Sequence, residues 1–438
     1  MCEYRGFIRA LIVLSCVGSG ALAQAGDTLT FRDALMQVAG QGQAVKASQK
    51  AESVAHEDSN RAKAPLLPYV SAMGGHQHYA YQPTAIAGTQ KMFTAQKDFN
   101  FAGVTAYQTL YDFGMNGANL KAAREIEAGA RENSRRVRNQ AALEFITAYF
   151  DLLEVNKMIL VAREELTSLA SHWHDVAIFY REGTVTKSEF LAGRVKFASA
   201  RQKFLTLKNQ RKVAVVRLVN FLSLPAGVGL SIEDPQVHPA GKMTVDQAMA
   251  SAMAERSELK ILDAQMNAAQ FREQANRAAG RPALFADGGY NYADNRYQGR
   301  NDNWDVRMGV KVNIFDGGLV KADVAKEKMR REQVVEEKKK VEQDIRVEVG
   351  KAYWDFKNIR ERIMLAKSAA LHATENLRVN RVQYKEGDVS STAVLDAIAL
   401  SVNAKNDLWR ATYEEKRVWA RLVVAMGLDV CDTFLKGE

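Results

Sequence analysis

The chain has 438 residues, of which 60 are Lys or Arg and 51 are Asp or Glu, leaving a formal net charge of +9. The two signs are interleaved, as in Lys326-Glu327-Lys328 and Glu336-Glu337-Lys338-Lys339-Lys340, so the excess reads as solvated helix surface, and nucleic acid is not an expected partner. Three cysteines and the lack of any GxxxxGK loop, HExxH pair or nucleophile elbow give no support to a disulfide scaffold, a phosphate-binding enzyme, a zinc protease or a serine hydrolase.

In chain order, Arg5 and Arg9 precede a largely apolar stretch from Ala10 to Leu22, and Ala21-Leu22-Ala23 offers a small-residue cleavage site. This predicts a signal peptide over residues 1–23 and a mature chain that starts near Gln24. A rival reading takes Val13-Leu14-Ser15-Cys16 as a lipoprotein box with Cys16 acylated. Cleavage at Ala23 would leave Cys431 as the one remaining cysteine. No apolar run is long enough for a membrane-spanning helix, so any crossing of a bilayer would have to use strands.

The prolines are Pro65, Pro68, Pro83, Pro225, Pro235, Pro239 and Pro282. None falls between 84 and 224 or after 282, and proline ends helices, so both stretches can carry very long ones. The pattern predicts a helix over 30–64, extended segments near 69–81 and 99–111, a long helix over 116–181, a turn at Glu182-Gly183-Thr184 and a helix to about 223. It then predicts the same series at 244–280, 283–293, 303–314, 320–385 and 391–427.

The series is the same because the sequence is duplicated. Residues 112–224 fall on 316–428, with Ala148-Tyr149-Phe150-Asp151 on Ala352-Tyr353-Trp354-Asp355 and Tyr180-Arg181-Glu182-Gly183 on Tyr384-Lys385-Glu386-Gly387. Residues 30–75 fall on 244–289, with Pro68 on Pro282 and Gly74-Gly75 on Gly288-Gly289. Units this long are not solenoid repeats but two copies of one large element. The expected organisation is a first repeat over 24–228, a linker over 229–242, a second repeat over 243–428 and a tail over 429–438.

Trp304, Val306, Met308, Val310, Val312 and Ile314 alternate with Asp305, Arg307, Gly309, Lys311 and Asn313. That period of two suits a barrel strand with one face to lipid and one to water, or an amphipathic strand of a soluble sandwich. The 320–385 helix would span about 95 Å, more than a compact domain holds. Its apolar residues Val341, Ile345, Val349, Ala352, Phe356, Ile359, Ile363, Ala366 and Ala370 recur at spacings of three and four, as in a coiled-coil seam. The helices at 30–64 and 188–223, stacked end to end, match the 116–181 helix in length, so each half offers one continuous rod, one broken rod and a strand pair. Four strands cannot close a barrel, and a membrane reading therefore requires several copies.

These features together resemble the TolC family of outer-membrane efflux and secretion channels, from about residue 29 to 428. The supporting motifs are Leu29-Thr30-Phe31-Arg32-Asp33-Ala34-Leu35, Tyr111-Asp112-Phe113-Gly114 with its counterpart Phe315-Asp316-Gly317-Gly318, and Tyr384-Lys385-Glu386-Gly387 followed by Val394-Leu395-Asp396-Ala397. The resemblance implies a mainly α fold with a transmembrane β-barrel. A homotrimer would close one twelve-stranded barrel in outer-membrane lipid, continued by a coiled-coil tunnel through the periplasm. It implies a passive channel and no enzyme, served by a periplasmic adaptor (membrane fusion protein) and an inner-membrane pump of the RND, ABC or MFS class.

Two sites follow from the resemblance. The turn residues Glu182, Gly183, Thr184, Val185 and Glu386, Gly387, Asp388, Val389 match the tips that face the adaptor. Glu189, Tyr384 and Asp396 match the periplasmic gate, Tyr384 a tyrosine that bonds to the Glu189 position and Asp396 a carboxylate that looks into the tunnel. Ala393 stands where the family often has a second acid, and Val389 where it has a locking arginine, which weakens the expected latch. A glycine turn and a solvated helix surface would account for the same residues without either role.

His76-x-His78 would put two imidazoles on one strand face but lacks a visible third ligand, and His172-Trp173-His174 on a helix would diverge, so neither metal nor cofactor is expected. The competing reading is a long periplasmic coiled-coil structural protein without a channel.

Overall fold

The computed structural model describes residues 30–225, 232–236 and 243–435. The signal peptide, Cys16, Leu29, most of the 229–242 linker and the last residues of the tail lie outside the described residues.

Thr30 caps the first helix by accepting the Asp33 N–H, and α1 runs Phe31–Gln41. The single helix expected over 30–64 is in fact broken at Gly42, and α2 continues from Gln43 to Lys63. Gly42 donates its N–H to Val38 O, and a Cβ there would stand 2.6 Å from that oxygen, so the break needs a glycine. The expected 244–280 helix breaks at the corresponding place. α5, Val245–Glu255, opens on a capping box of Thr244 and Gln247, and α6, Ser257–Ala279, follows after the extended Arg256. Here a side chain drives the break: the buried Arg256 guanidinium forks onto Glu348 at 3.1 and 2.8 Å and reaches Val424 O.

The strands are β1 Tyr69–His78, β2 Thr84–Ala87, β3 Gln90–Phe93, β4 Asp98–Tyr111, β5 Ala283–Ala293 and β6 Asp302–Lys311. The β2–β3 hairpin lies in the connection between β1 and β4, and the sequence pattern does not predict it. Val312 and Ile314 continue the alternation but lie beyond the end of β6. The main sheet is antiparallel with order β1-β4-β5-β6. Its register puts Val70, Ala72, Val104, Leu284, Trp304, Val306, Met308 and Val310 on one face and Ser71, Thr105, Asp287, Asp305 and Arg307 on the other. The first face is uncovered, Trp304 being 72% exposed. On the second, Arg307 forks onto Asp287 at 3.2 and 2.6 Å, and the Ser71 and Thr105 hydroxyls stand 2.8 Å apart.

Each half of the sheet runs into a long helix through the same device. Asp112 accepts the N–H groups of Gly114 and Asn116, and Asp316 those of Gly318 and Val320, while Gly114 and Gly318 adopt φ values of 86° and 91°. This is why the aspartate–glycine pair recurs in both copies: the carboxylate satisfies the first helical donors, and the left-handed residue turns the chain into the helix.

The helices that follow are α3 Met115–Arg181, α4 Lys187–Phe221, α7 Leu319–Glu386 and α8 Ser391–Ala425, with α9 Val430–Leu435 inside the expected tail. α3 packs between α2 and α4 on one side and α6 and α8 on the other, and α7 packs against α6 and α8. Gln37 bonds Leu222 O where α1 meets the end of α4, and Ser251 bonds Met426 O where α5 meets the end of α8. The rods therefore lie in the order α2/α4, α3, α6/α8, α7. The main core gathers where the broken rods join: Phe31 packs against Phe145, Tyr149, Phe150 and Phe434, and Tyr413 and Trp419 extend the cluster.

Candidate functional site

The helix-turn end lies at the far end of α3 and α7 from the sheet. At the α3–α4 turn, Glu182 N–H bonds Ile178 O, Gly183 adopts φ 75°, and Thr184 returns its N–H to Phe179 O at 3.0 Å. Thr186 then caps α4 by accepting the Glu189 N–H, and its hydroxyl stands 3.4 Å from the Glu189 carboxylate. At the α7–α8 turn, Gly387 adopts φ 89°, Asp388 returns its N–H to Gln383 O at 2.9 Å, and Ser390 caps α8. Both turns need a left-handed residue, which is the physical reason for a glycine at each. Glu182, Gly183, Thr184, Glu386, Gly387 and Asp388 are exposed, whereas Val185 and Val389 pack against the apolar cluster beneath the tips. Val389 thus packs as an apolar side chain at the position where the resemblance implies an arginine.

The three gate residues have different surroundings. Asp396 is exposed on α8 and makes no hydrogen bond or ion pair among the described residues. Glu189 is half-buried and is tied to Thr186 of its own helix. Tyr384 is buried and does not bond Glu189. Its ring packs edge-on against His172 at 4.8 Å and Phe179 at 5.7 Å. Its hydroxyl lies beside Ser391 but makes no hydrogen bond of normal geometry among the described residues, while the Ser391 hydroxyl stands 2.8 Å from His172. Burial, then the Glu189 and Asp175 carboxylates, push the Tyr384 phenol up.

The sequence pattern does not mark His172 or Ser391 as site residues. One signal was available: Leu169, His172 and Val176 follow helical core spacing, and all three are buried, whereas His174 is exposed. At the other end of the molecule, His76 and His78 do share a sheet face. Each hydrogen-bonds the residue opposite, His76 to Asn100 at 3.0 Å and His78 to Asp98 at 2.5 Å. Among the described residues no group of three or more His, Cys, Asp and Glu is arranged to hold a metal ion.

An open four-stranded sheet with one bare apolar face, continued by rods of about 100 Å, is the chain architecture expected of an outer-membrane channel protein. The chain belongs to the outer membrane efflux protein family, which it matches over residues 35–223 and 248–428. It is accordingly an outer-membrane protein that extends into the periplasm, and the family is one of channels, not enzymes. It is 23% identical over 432 residues to outer membrane protein TolC of Escherichia coli (strain K12), covering 92% of this chain and 82% of that one. It is 22% identical over 369 residues to the alkaline protease secretion protein AprF of Pseudomonas aeruginosa, covering 80% and 76%. The crystal structure of the outer membrane protein VceC from Vibrio cholerae superposes with a TM-score of 0.79 at 15% identity, covering 91% of this chain and 96% of that one, a likeness of fold.

Proposed function

We propose that three copies of the chain close one twelve-stranded barrel in the outer membrane and continue it as a helical tunnel. Substrates would leave through it from the periplasm, or directly from an inner-membrane pump by way of a periplasmic adaptor. The observation that carries this reading is the sheet itself: β1 and β6 are its outer edges, and among the described residues neither has a second strand partner. Open edges are not tolerated in lipid, and one chain has too few strands to close. The outer rods support the same joining, because α4 leaves Val195, Val213 and Val216 exposed and α7 leaves Trp354, Met364 and Leu371 exposed. An edge of one copy, β1 with α4, then meets the opposite edge of the next, β6 with α7. Trimer rather than dimer rests on the likeness to the TolC family.

In this reading the halves 24–228 and 243–428 are equivalent parts of the ring. The tips at Glu182–Val185 and Glu386–Val389 receive the adaptor. Glu189, Tyr384 and Asp396 form the periplasmic gate, with Asp396 repeated around the axis as a ring of negative charge. The similar protein AprF is named for protease secretion, which makes secretion one form of this export and efflux of small substrates the other.

Native mass spectrometry of the protein extracted from outer membranes tests the assembly. A trimer without residues 1–23 is expected, and a monomer would remove the closed barrel and with it the channel. Added lipid mass beginning at Cys16 would replace the signal-peptide cleavage with a lipoprotein anchor.

A further inference from the structure

His172 of α3 is 4% exposed and sits where α3 packs against α8, beside the last turn of α7. One ring nitrogen stands 2.8 Å from the hydroxyl of Ser391, which lies in the first turn of α8 and is 1% exposed. The ring face meets Tyr384, in the last turn of α7. A single imidazole therefore touches both sides of the turn that carries Gly387, and it does so from the other half of the chain. We propose that His172 is a positioning residue for the entrance: it holds Tyr384 and the first turn of α8 against α3, and keeps the second tip packed on the first hairpin. This rests on reading the helix-turn end as the entrance.

A leucine at this seam position, as at Leu169, would pack without any polar cost, so the histidine makes the contact conditional. The charged groups around it pull in opposite directions. Asp175 on α3 favours the imidazolium and Arg381 on α7 opposes it, while the hydrogen bond to Ser391 on α8 favours it more weakly. Arg381 Nη2 and Tyr384 Oη are themselves buried without a hydrogen-bond partner, so the junction has little capacity for another charge. Burial dominates and holds the imidazole below its ordinary value. A group whose value is lowered by packing favours the packed state above its ordinary value. The preference is lost as pH falls through the ordinary histidine range, because a loosened tip takes up the proton that the packed one refuses.

The test is amide hydrogen exchange of residues 377–395 in the full-length protein in detergent, at about pH 7.5 and about pH 5.5, corrected for intrinsic rates, with bilayer conductance followed in parallel. Protection around Tyr384 and Ser391 is expected to fall by about threefold or more at the acid pH in the parent, because the packed imidazole resists the proton that a loosened one accepts. In His172→Phe, which keeps the ring contact but cannot titrate, protection should not change with pH. Ser391→Ala should lose part of it already at neutral pH. PH-independent protection in the parent, or the same acid loss in His172→Phe, overturns the proposal. An exchange response of the expected kind with flat conductance keeps the His172 tie and moves the entrance away from this end, so the two failures are told apart.

Discussion

Arg417 of α8 reaches Glu154 of α3 with Nη2 2.6 Å from the carboxylate, at a place where the arginine is 7% exposed. It also holds Asp151 at 2.9 Å and Glu414 at 2.8 Å. Asp151 closes the duplicated Ala-Tyr-Phe-Asp motif, and its counterpart Asp355 points to solvent, so the two copies use one aspartate differently. Removing the arginine leaves Asp151 and Glu154 with only the more distant Arg217 and Arg410, each at 3.9 Å, and Glu414 with Arg421, at the junction of the halves. Arg417→Ala should lower stability by about 1–3 kcal/mol, read as a drop in the unfolding midpoint of the detergent-solubilised protein. A change within about 0.5 kcal/mol, as for an ordinary surface ion pair, would show that water reaches the cluster.

The break between α5 and α6 should depend on a glycine far away in sequence. Gly427 adopts φ 75°, and a Cβ on it would stand 2.7 Å from Arg256 N. Gly427→Ala should therefore cost about 2 kcal/mol or more through strain and displacement of Arg256. Gly40→Ala is the control: it lies within α1 with nothing near its Cβ, and should gain up to about 1 kcal/mol. Equal effects from the two substitutions would remove Gly427 from the support of the break.

The long elements were legible because their signals are physical and continuous. Proline-free stretches gave α3 and α7 to within a residue or two, and strict alternation gave β6. The helix breaks were not, since Gly42 acts through a clash with Val38 O and Arg256 through Glu348, neither of which local periodicity records. α9 was missed because Val430, Cys431 and Phe434 gain their burial from Phe31 and its neighbours, hundreds of residues away. At the tips the glycines could be read from the turn they serve. The surroundings of Tyr384 could not, because its partner His172 sits in the other half of the chain and reads in sequence only as one of two diverging histidines.

The tips should tolerate bulk in the fold but not in function. A Cβ at Gly183 or Gly387 meets nothing within 4 Å, so a substitution there pays only the left-handed backbone, about 1–2 kcal/mol. Gly183→Trp and Gly387→Trp are thus expected to abolish export of a reporter substrate while the trimer band on native gels stays at the parental level. Normal export by both variants would show that no partner approaches the tips.

Asp396 and Glu189 should differ as cation sites although both are acidic and close to the same end. Asp396 is exposed with no partner among the described residues, and threefold symmetry would repeat it at one height, where like charges held together bind a multivalent cation strongly. Glu189 is half-buried and already engaged by Thr186. Asp396→Ala is therefore expected to weaken block of the open channel by a trivalent cation by about tenfold or more, equivalent to about 1.4 kcal/mol. Glu189→Gln should change it by less than about threefold. The block should also weaken as salt rises, because an exposed ring is screened over roughly 10 Å at 0.1 M. If Asp396→Ala left conductance and block as in the parent, the carboxylates would not face the ion path, and α8 would have to present its other side to the tunnel.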